Sequence, residues 1–252
     1  LKGFDSLHIL AKELSKFNEI VVFETTELYG KLGKFRCLRF ADEAIEGVVD
    51  LKNPERVVLE YQKAVFHLME FNAEYFQNVF IIGHGIGMIA GHYPDKRIKV
   101  AEIDAQVLEV SRRFFNYRMD NVVIGDGREI LSNEESQAYD FIIMDAFTQK
   151  GTPMQFTTLE FFKLTSEKLD SQGLFIMNLM GKAKNDRYTD AIFSTLKEAY
   201  RFTRAFFLPG ANAADTGNII IAGSNRTIEF QPNEMGGFIE IDLGQGHLIM
   251  DG

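Results

Sequence analysis

Three glycines alternate directly behind an apolar strand. Val79 to Ile82 runs into Gly83-His84-Gly85-Ile86-Gly87, and a second strand, Ile98 to Ile103, follows with Glu102 near its end. Glycines behind a strand remove side chains where the backbone turns and where a ligand must come close. An acid about 20 residues on, at the tip of the next strand, is placed to accept hydrogen bonds from two ribose hydroxyls. The segment therefore reads as the start of a nucleotide-binding βαβ unit.

Glycine spacing separates the nucleotide classes. The dinucleotide pattern Gly-x-Gly-x-x-Gly needs a glycine at position 88, which is Met88; the glycine falls one place earlier, at Gly87. This counts against nicotinamide or flavin and so against a dinucleotide oxidoreductase. Gly-x-Gly-x-Gly suits S-adenosyl nucleosides, which carry no pyrophosphate. A plain tight turn from strand to helix uses the same glycines.

The 252 residues suffice for one large domain, or one domain with a small appendage. A formal charge of −9 opposes non-specific nucleic-acid binding, and there is no long Lys/Arg cluster. No apolar run approaches the roughly 18 residues of a membrane span, so no membrane partner is expected. The charged opening segment, with Lys2, Asp5, Lys12, Glu13 and Lys16, is unlike a signal peptide. A single cysteine, Cys37, leaves no internal disulfide and fits a cytoplasmic location. Neither it nor the five histidines, His84 included, have metal-ligand spacing, so no metal is expected.

The pattern changes near Pro54. Residues 1–53 read as a short helix (His8 to Lys16) and a small antiparallel β-element, with strands at Glu19 to Glu24, Phe35 to Phe40 and Ala44 to Val49 and a turn at Tyr29-Gly30. Residues 54–252 alternate helix and strand. Arg56 to Phe71 has helical apolar spacing; strands fit 79–82, 98–103, 121–124, 140–144 and 174–178, and helices fit 87–92, 105–115, 158–169 and 186–200. Right-handed crossovers make such strands a parallel sheet covered on both faces. Phe202 to Leu208 and Asn218 to Ala222 lack an intervening helix, which predicts an antiparallel hairpin at one sheet edge. The expected fold class is α/β: a methyltransferase-like, doubly wound, mostly parallel sheet with a C-terminal antiparallel hairpin, behind a small N-terminal antiparallel β-element. The glycine-rich tail from Gln231 fits another β-segment or disorder equally.

Ligands of open parallel sheets bind at the carboxyl ends of the strands. Those ends carry Gly83, Gly85 and Gly87, then Glu102 with Asp104, then Gly125-Asp126-Gly127, then Asp145-Ala146-Phe147. Buried charge needs a partner, so acids at three successive strand ends are informative. Asp104, before a helix, reads as an N-cap. Glu102 reads as the ribose ligand and Asp126 as the ligand of the adenine amino group, although a cap suits each acid taken alone. Asp145 fits a catalytic base or a carboxylate that only binds an amino group. His84 either points into the site or is solvated, and Tyr61 either lines the pocket or packs in the core.

Taken together, Tyr61-Gln62, the glycine loop, Ala-Glu-Ile-Asp, Ile-Gly-Asp-Gly-Arg, Tyr-Asp-Phe-Ile-Ile-Met-Asp and Leu-Glu-Phe-Phe resemble the spermidine/spermine synthase (aminopropyltransferase) family over roughly residues 18 to 223. The resemblance implies an S-adenosyl nucleoside donor: S-adenosylmethionine, its decarboxylated form or the product methylthioadenosine. The implied nucleoside-binding residues are Gln62, Gly83, Gly85, Gly87, Glu102, Ile103, Asp126 and Gly127, with Asp145 catalytic and Tyr61 and Thr148 on the substrate side. It also implies a small-molecule acceptor, in the family an amine, and a homodimer.

The chain departs from the family where polyamines are held. The loop acid is replaced by Ile86, the second acid of Asp-x-x-Asp by Thr148, and the late loop (208–216) has no tyrosine, although Asp215 is nearby. An ammonium without a carboxylate partner is costly to desolvate. The reading is therefore a spermidine synthase-like transferase that is not an efficient putrescine aminopropyltransferase. The alternatives are an S-adenosylmethionine-dependent methyltransferase and a non-catalytic nucleoside-binding protein.

Overall fold

A computed structural model of the chain describes residues 7–40, 45–148, 151–210 and 216–252. The N-terminal sheet is a four-stranded meander, β1 (His8–Leu14), β2 (Glu19–Leu28), β3 (Lys31–Arg39) and β4 (Ile45–Asp50), antiparallel throughout. The helix expected over His8 to Lys16 is instead β1. So short a segment meets the full nucleation cost of a helix, whereas the free edge of β2 offers ready backbone partners from Glu24 to Glu19. Side chains alternate faces along a strand, and both faces of β2 are buried. Val21 and Phe23 join Phe35, Cys37, Val48 and Leu59, while Ile20 and Val22 join Leu38, Ile86, Val107 and Val110. Through that second cluster the small sheet covers the glycine loop.

The second sheet has eight strands in the order β12-β10-β11-β9-β8-β5-β6-β7. β5 (Asn78–Ile82), β6 (Arg97–Glu102), β7 (Val122–Ile124), β8 (Tyr139–Met144) and β9 (Leu169–Gly181) run parallel. β11 (Gly217–Ser224) inserts antiparallel between β9 and β10 (Phe202–Phe207), and the two-residue β12 (Ile239–Glu240) extends beyond β10. The expected hairpin is present, with its second strand turned inward.

Alternate residues of β5 divide the core: Val79 and Ile81 enter one apolar cluster, Phe80 and Ile82 the other. The first is closed by α1 (Glu60–Asn72), α2 (Met88–His92) and part of α3 (Ala105–Phe114). The second is closed by α4 (Gly127–Ser132), α5 (Leu159–Lys168) and α6 (Arg187–Ala199). Each fully buried Phe, Ile or Leu contributes about 1.5–3 kcal/mol of transfer free energy. Helix α4 was not anticipated, because it is only six residues long. The tail from Gln231 is tied down beyond β12. Gly244 N–H donates to Asp190 (2.7 Å), Ile249 N–H to Thr195 (3.0 Å), and Arg128 grips Asp251 through both terminal nitrogens.

The strand order reverses at the β5/β8 pair: the chain leaves β5 toward β6 and β7, then returns to β8 on its other side. That is the switch point where an open sheet leaves a crevice.

Candidate active site

Gly83 and Asp145 face each other across that crevice. Gly83 N–H donates to the Ala101 carbonyl (2.9 Å) and Asp145 N–H to the Ile82 carbonyl (2.8 Å), extending the ladder past the strand ends. Gly83, Gly85 and Gly87 have φ of +98°, +53° and +81°, the left-handed region that side chains disfavour. A Cβ on Gly83 would overlap the Asp145 carbonyl oxygen, and one on Gly87 would overlap the Tyr117 ring. The alternating glycines are thus a steric requirement of this turn.

The loop lines a cavity of about 230 Å³. Gly83 to Met88, Glu102, Ile103 and Asp104 line it together with Gly127, Ala146, Phe147, Gln155 and Phe156, and with Tyr61, Gln62 and Asp145. The Glu102 carboxylate accepts from the main-chain N–H of His84 and of Asp104, each at 2.8 Å. Burial raises its pKa to about 7 against these N–H groups, which favour the charged form. Asp104 caps α3, accepting from Gln106 N–H at 3.0 Å, as its position before a helix suggested.

Asp126 is also a cap. Its Oδ1 accepts from Arg128 and Glu129 N–H, and its Oδ2 from the Gln155 amide (2.8 Å). Gly127 and Gln155 line the cavity, and Asp126 is joined to them as the residue before Gly127 and through the Gln155 bond. His84 is neither solvated nor free. The Ser111 hydroxyl donates to the Leu108 carbonyl (2.8 Å), so His84 Nε2–H donates to Ser111 (2.8 Å), and burial lowers its pKa to about 4. Ile86 packs into the cluster with Ile20, Val22 and Leu38. Thr148 is exposed and bonds the Gly151 carbonyl through N–H and hydroxyl, each at 2.9 Å. Asp215 lies outside the described residues.

Three acceptors around this cavity are buried and lack a partner: Gln62 Oε1, Asp104 Oδ2 and His84 Nδ1. An unmet buried acceptor costs about 1–3 kcal/mol. A ligand rich in donors, such as a ribose or an ammonium, suits that surplus.

Asp145 is fixed by two neutral donors. Tyr61 OH donates to Oδ2 at 2.9 Å and the Asn178 amide to Oδ1 at 3.0 Å; Asn218 in turn donates to Asn178 Oδ1 at 3.0 Å. Burial raises the Asp145 pKa while both donors oppose that rise. Burial and the neighbouring carboxylate hold the Tyr61 phenol well above its usual range, so it remains a donor. A second cavity, of about 420 Å³, opens on the far side. Glu46, Tyr61, Asp145, Phe147 and Thr148 line both cavities. Two carboxylates, Asp145 and Glu46, thus stand where the two cavities meet.

Tyr61, Gln62, Gly83, Gly85, Gly87, Glu102, Ile103, Gly127, Asp145 and Thr148 all reach these cavities. Asn178 was missed although it lies near the carboxyl end of a recognised strand, where the rule that found Asp145 also applies. Phe17, Asn18, Phe40 and Glu46 come from the N-terminal sheet, and nothing local marks them. Among the described residues, no group of three His, Cys, Asp or Glu side chains gathers in a metal-holding arrangement. No helix there is long and apolar enough to cross a membrane.

Comparison with known proteins agrees with this geometry. The family model described as the spermine/spermidine synthase domain matches residues 58–226. A polyamine aminopropyltransferase of Vibrio vulnificus is 29% identical over 208 residues, 77% of this chain and 67% of that protein. Spermine synthase of Arabidopsis thaliana is 28% identical over 177 residues, 66% of this chain and 46% of that protein. The chain thus spans two thirds of one relative's length and about half of the other's. A probable spermidine synthase from Corynebacterium glutamicum superposes with a TM-score of 0.80 at 19% identity, covering 96% of each chain. A spermidine synthase in complex with the transition-state analogue AdoDATO gives 0.68 at 19% identity, over 94% of this chain and 82% of that one. Human methyltransferase-like protein 13, in complex with SAH, gives 0.56 at 21% identity over 71% and 90%. These structural likenesses share the methyltransferase-like α/β fold, and the match over most of the chain places it in the spermine/spermidine synthase family.

Proposed function

We propose that the chain is a transferase that binds an S-adenosyl nucleoside in the first cavity and alkylates an acceptor held in the second. The observation that carries this reading is the position of Asp145, clamped by Tyr61 and Asn178 at the junction of the two cavities. The three unpartnered acceptors and the complex of a related fold with AdoDATO support a nucleoside ligand.

In this reading Glu102 accepts the ribose hydroxyls, and the slot between Ile103 and Gly127 takes the base. The Asp126–Gln155 bond stiffens that slot from behind. The donor's sulfonium supplies an electrophilic carbon. Asp145 orients the attacking group and takes its proton, its raised pKa bringing it closer to the basicity a general base needs. Tyr61 and Asn178 keep the carboxylate from turning away.

Ile86 favours a second reading in which the donor is S-adenosylmethionine and a methyl group moves. Packed among Ile20, Val22 and Leu38, it offers no charge to an aminopropyl ammonium. A thermal-shift comparison of methylthioadenosine, S-adenosylhomocysteine, S-adenosylmethionine and decarboxylated S-adenosylmethionine separates the two, since native-state binding raises stability by mass action. The largest shift with the decarboxylated donor supports aminopropyl transfer; the largest with the carboxylated nucleosides supports methyl transfer. No shift with any of the four sinks the nucleoside reading.

A further inference from the structure

We infer that the acceptor is a primary amine carrying a single positive charge on an otherwise uncharged body, and not a diamine; this rests on the transferase reading above. Among the described residues, the second cavity has two carboxylates, Glu46 and Asp145, and both belong to the wall it shares with the nucleoside cavity. Beyond that wall the lining turns neutral: Ile45, Leu59 and Met180 are apolar, and Asn178 and Asn218 are amides.

The amides are ordered. Asn178 gives its Nδ2 to Asp145 and takes the Asn218 amide on its Oδ1, both at 3.0 Å, so a ladder of neutral dipoles leads away from the carboxylate. This leaves Asn218 Oδ1 as a candidate acceptor for a hydroxyl or amide on the ligand. Such a surface fits an aliphatic body with one neutral polar group. A second ammonium there would lose its water without gaining a carboxylate. At the shared wall the amine nitrogen faces Asp145. The ammonium first passes a proton to Asp145; the lone pair so freed forms the new nitrogen–carbon bond, and the carbon–sulfur pair leaves with the nucleoside thioether.

The test compares butylamine, 4-amino-1-butanol and 1,4-diaminobutane as acceptors, with decarboxylated S-adenosylmethionine and with S-adenosylmethionine as donors. Release of methylthioadenosine or S-adenosylhomocysteine is the readout. The monoamines should exceed the diamine in kcat/KM by about tenfold or more. Met180→Glu places a carboxylate in the neutral half and should move the preference toward the diamine by about tenfold, while Met180→Gln leaves it. A diamine that matches or beats the monoamines overturns the inference. So does a Met180→Glu preference equal to that of the native chain, or a diamine preference that disappears in Asp215→Asn. Nucleoside binding in calorimetry without transfer to any of the three amines overturns the acceptor assignment alone. Absence of nucleoside binding overturns the transferase reading beneath it.

Discussion

The Tyr61 phenol and the Asp145 carboxylate, 84 positions apart in the chain, meet at 2.9 Å where the two cavities join. The bond has a direction: burial and the adjacent carboxylate keep the phenol protonated, so Tyr61 donates and Asp145 stays the acceptor.

Tyr61→Phe removes one of the two donors that favour charged Asp145. Its pKa should rise further, moving the acid limb of the pH–rate profile upward and slowing transfer roughly 10- to 100-fold. Nucleoside affinity should change by less than about threefold. A slower enzyme with an unmoved limb would remove Asp145 from the role of titrating base.

Asp145→Asn should lower transfer about 10²- to 10⁴-fold and leave methylthioadenosine binding measurable by calorimetry. Loss of binding together with turnover would place Asp145 in nucleoside recognition instead.

Glu102 gives a pH prediction of definite sign. Burial raises its native pKa to about 7, from an ordinary value of 4.5 in the unfolded chain. The native chain therefore holds a proton that the unfolded chain releases between those values. The associated stability is complete below the unfolded pKa and is lost as pH rises through the native one. Glu102→Gln should flatten that part of the stability curve. Ribose hydroxyls favour the carboxylate, so methylthioadenosine affinity should rise from about pH 6 to about pH 8 in the native chain and stay flat in Glu102→Gln. A flat profile in both would separate Glu102 from the ribose.

Two glycine substitutions should behave oppositely. Gly83→Ala must hold φ near +98° and push a methyl into the Asp145 carbonyl, and should cost about 3 kcal/mol or more in urea unfolding. In Gly91→Ala, within α2, the added methyl meets nothing within 4 Å; that variant should be neutral or more stable by about 0.5–1 kcal/mol. Equal costs would mean that the loop, not the crevice, sets the requirement.

The Arg128–Asp251 pair ties the tail to the Gly127 and Gln155 lining of the first cavity, because Arg128 also holds the Gln155 carbonyl (3.2 Å) and Gln155 holds Asp126. Asp251→Ala should cost about 1 kcal/mol or less in stability and weaken methylthioadenosine binding several-fold, with Asp251→Glu restoring part of it. Asp190→Asn loosens the tail at Gly244 and should leave affinity unchanged. If both variants weaken binding alike, the tail acts only through general stability.

What the sequence disclosed follows from how locally each feature is encoded. The βαβ unit was legible because its strands are apolar runs and its turn demands glycine, so Gly83, Gly85, Gly87, Glu102 and Asp145 reached the crevice together. Asp126 was legible only in part: the sequence offered a ligand or a cap, and the cap became visible only with the short helix that follows it. The helix expected at His8 to Lys16 failed because its true partner is β2, a non-local choice that propensity does not record. Glu46 and Phe17 entered the site for the same kind of reason: they arrive with a separate sheet, whose docking depends on apolar faces rather than on any motif.

That docking constrains what position 86 of the glycine loop can hold. Ile86 fills a space that Gly47 leaves open, since a Cβ on Gly47 would collide with it, and Ile20, Val22 and Leu38 close around the same side chain. A carboxylate placed at position 86 alone would arrive among hydrocarbon with no partner. An acidic loop would require residues on β2, β3 and β4 to change in concert. The small sheet therefore acts as a lock: a charge at position 86 is not within reach of a single substitution.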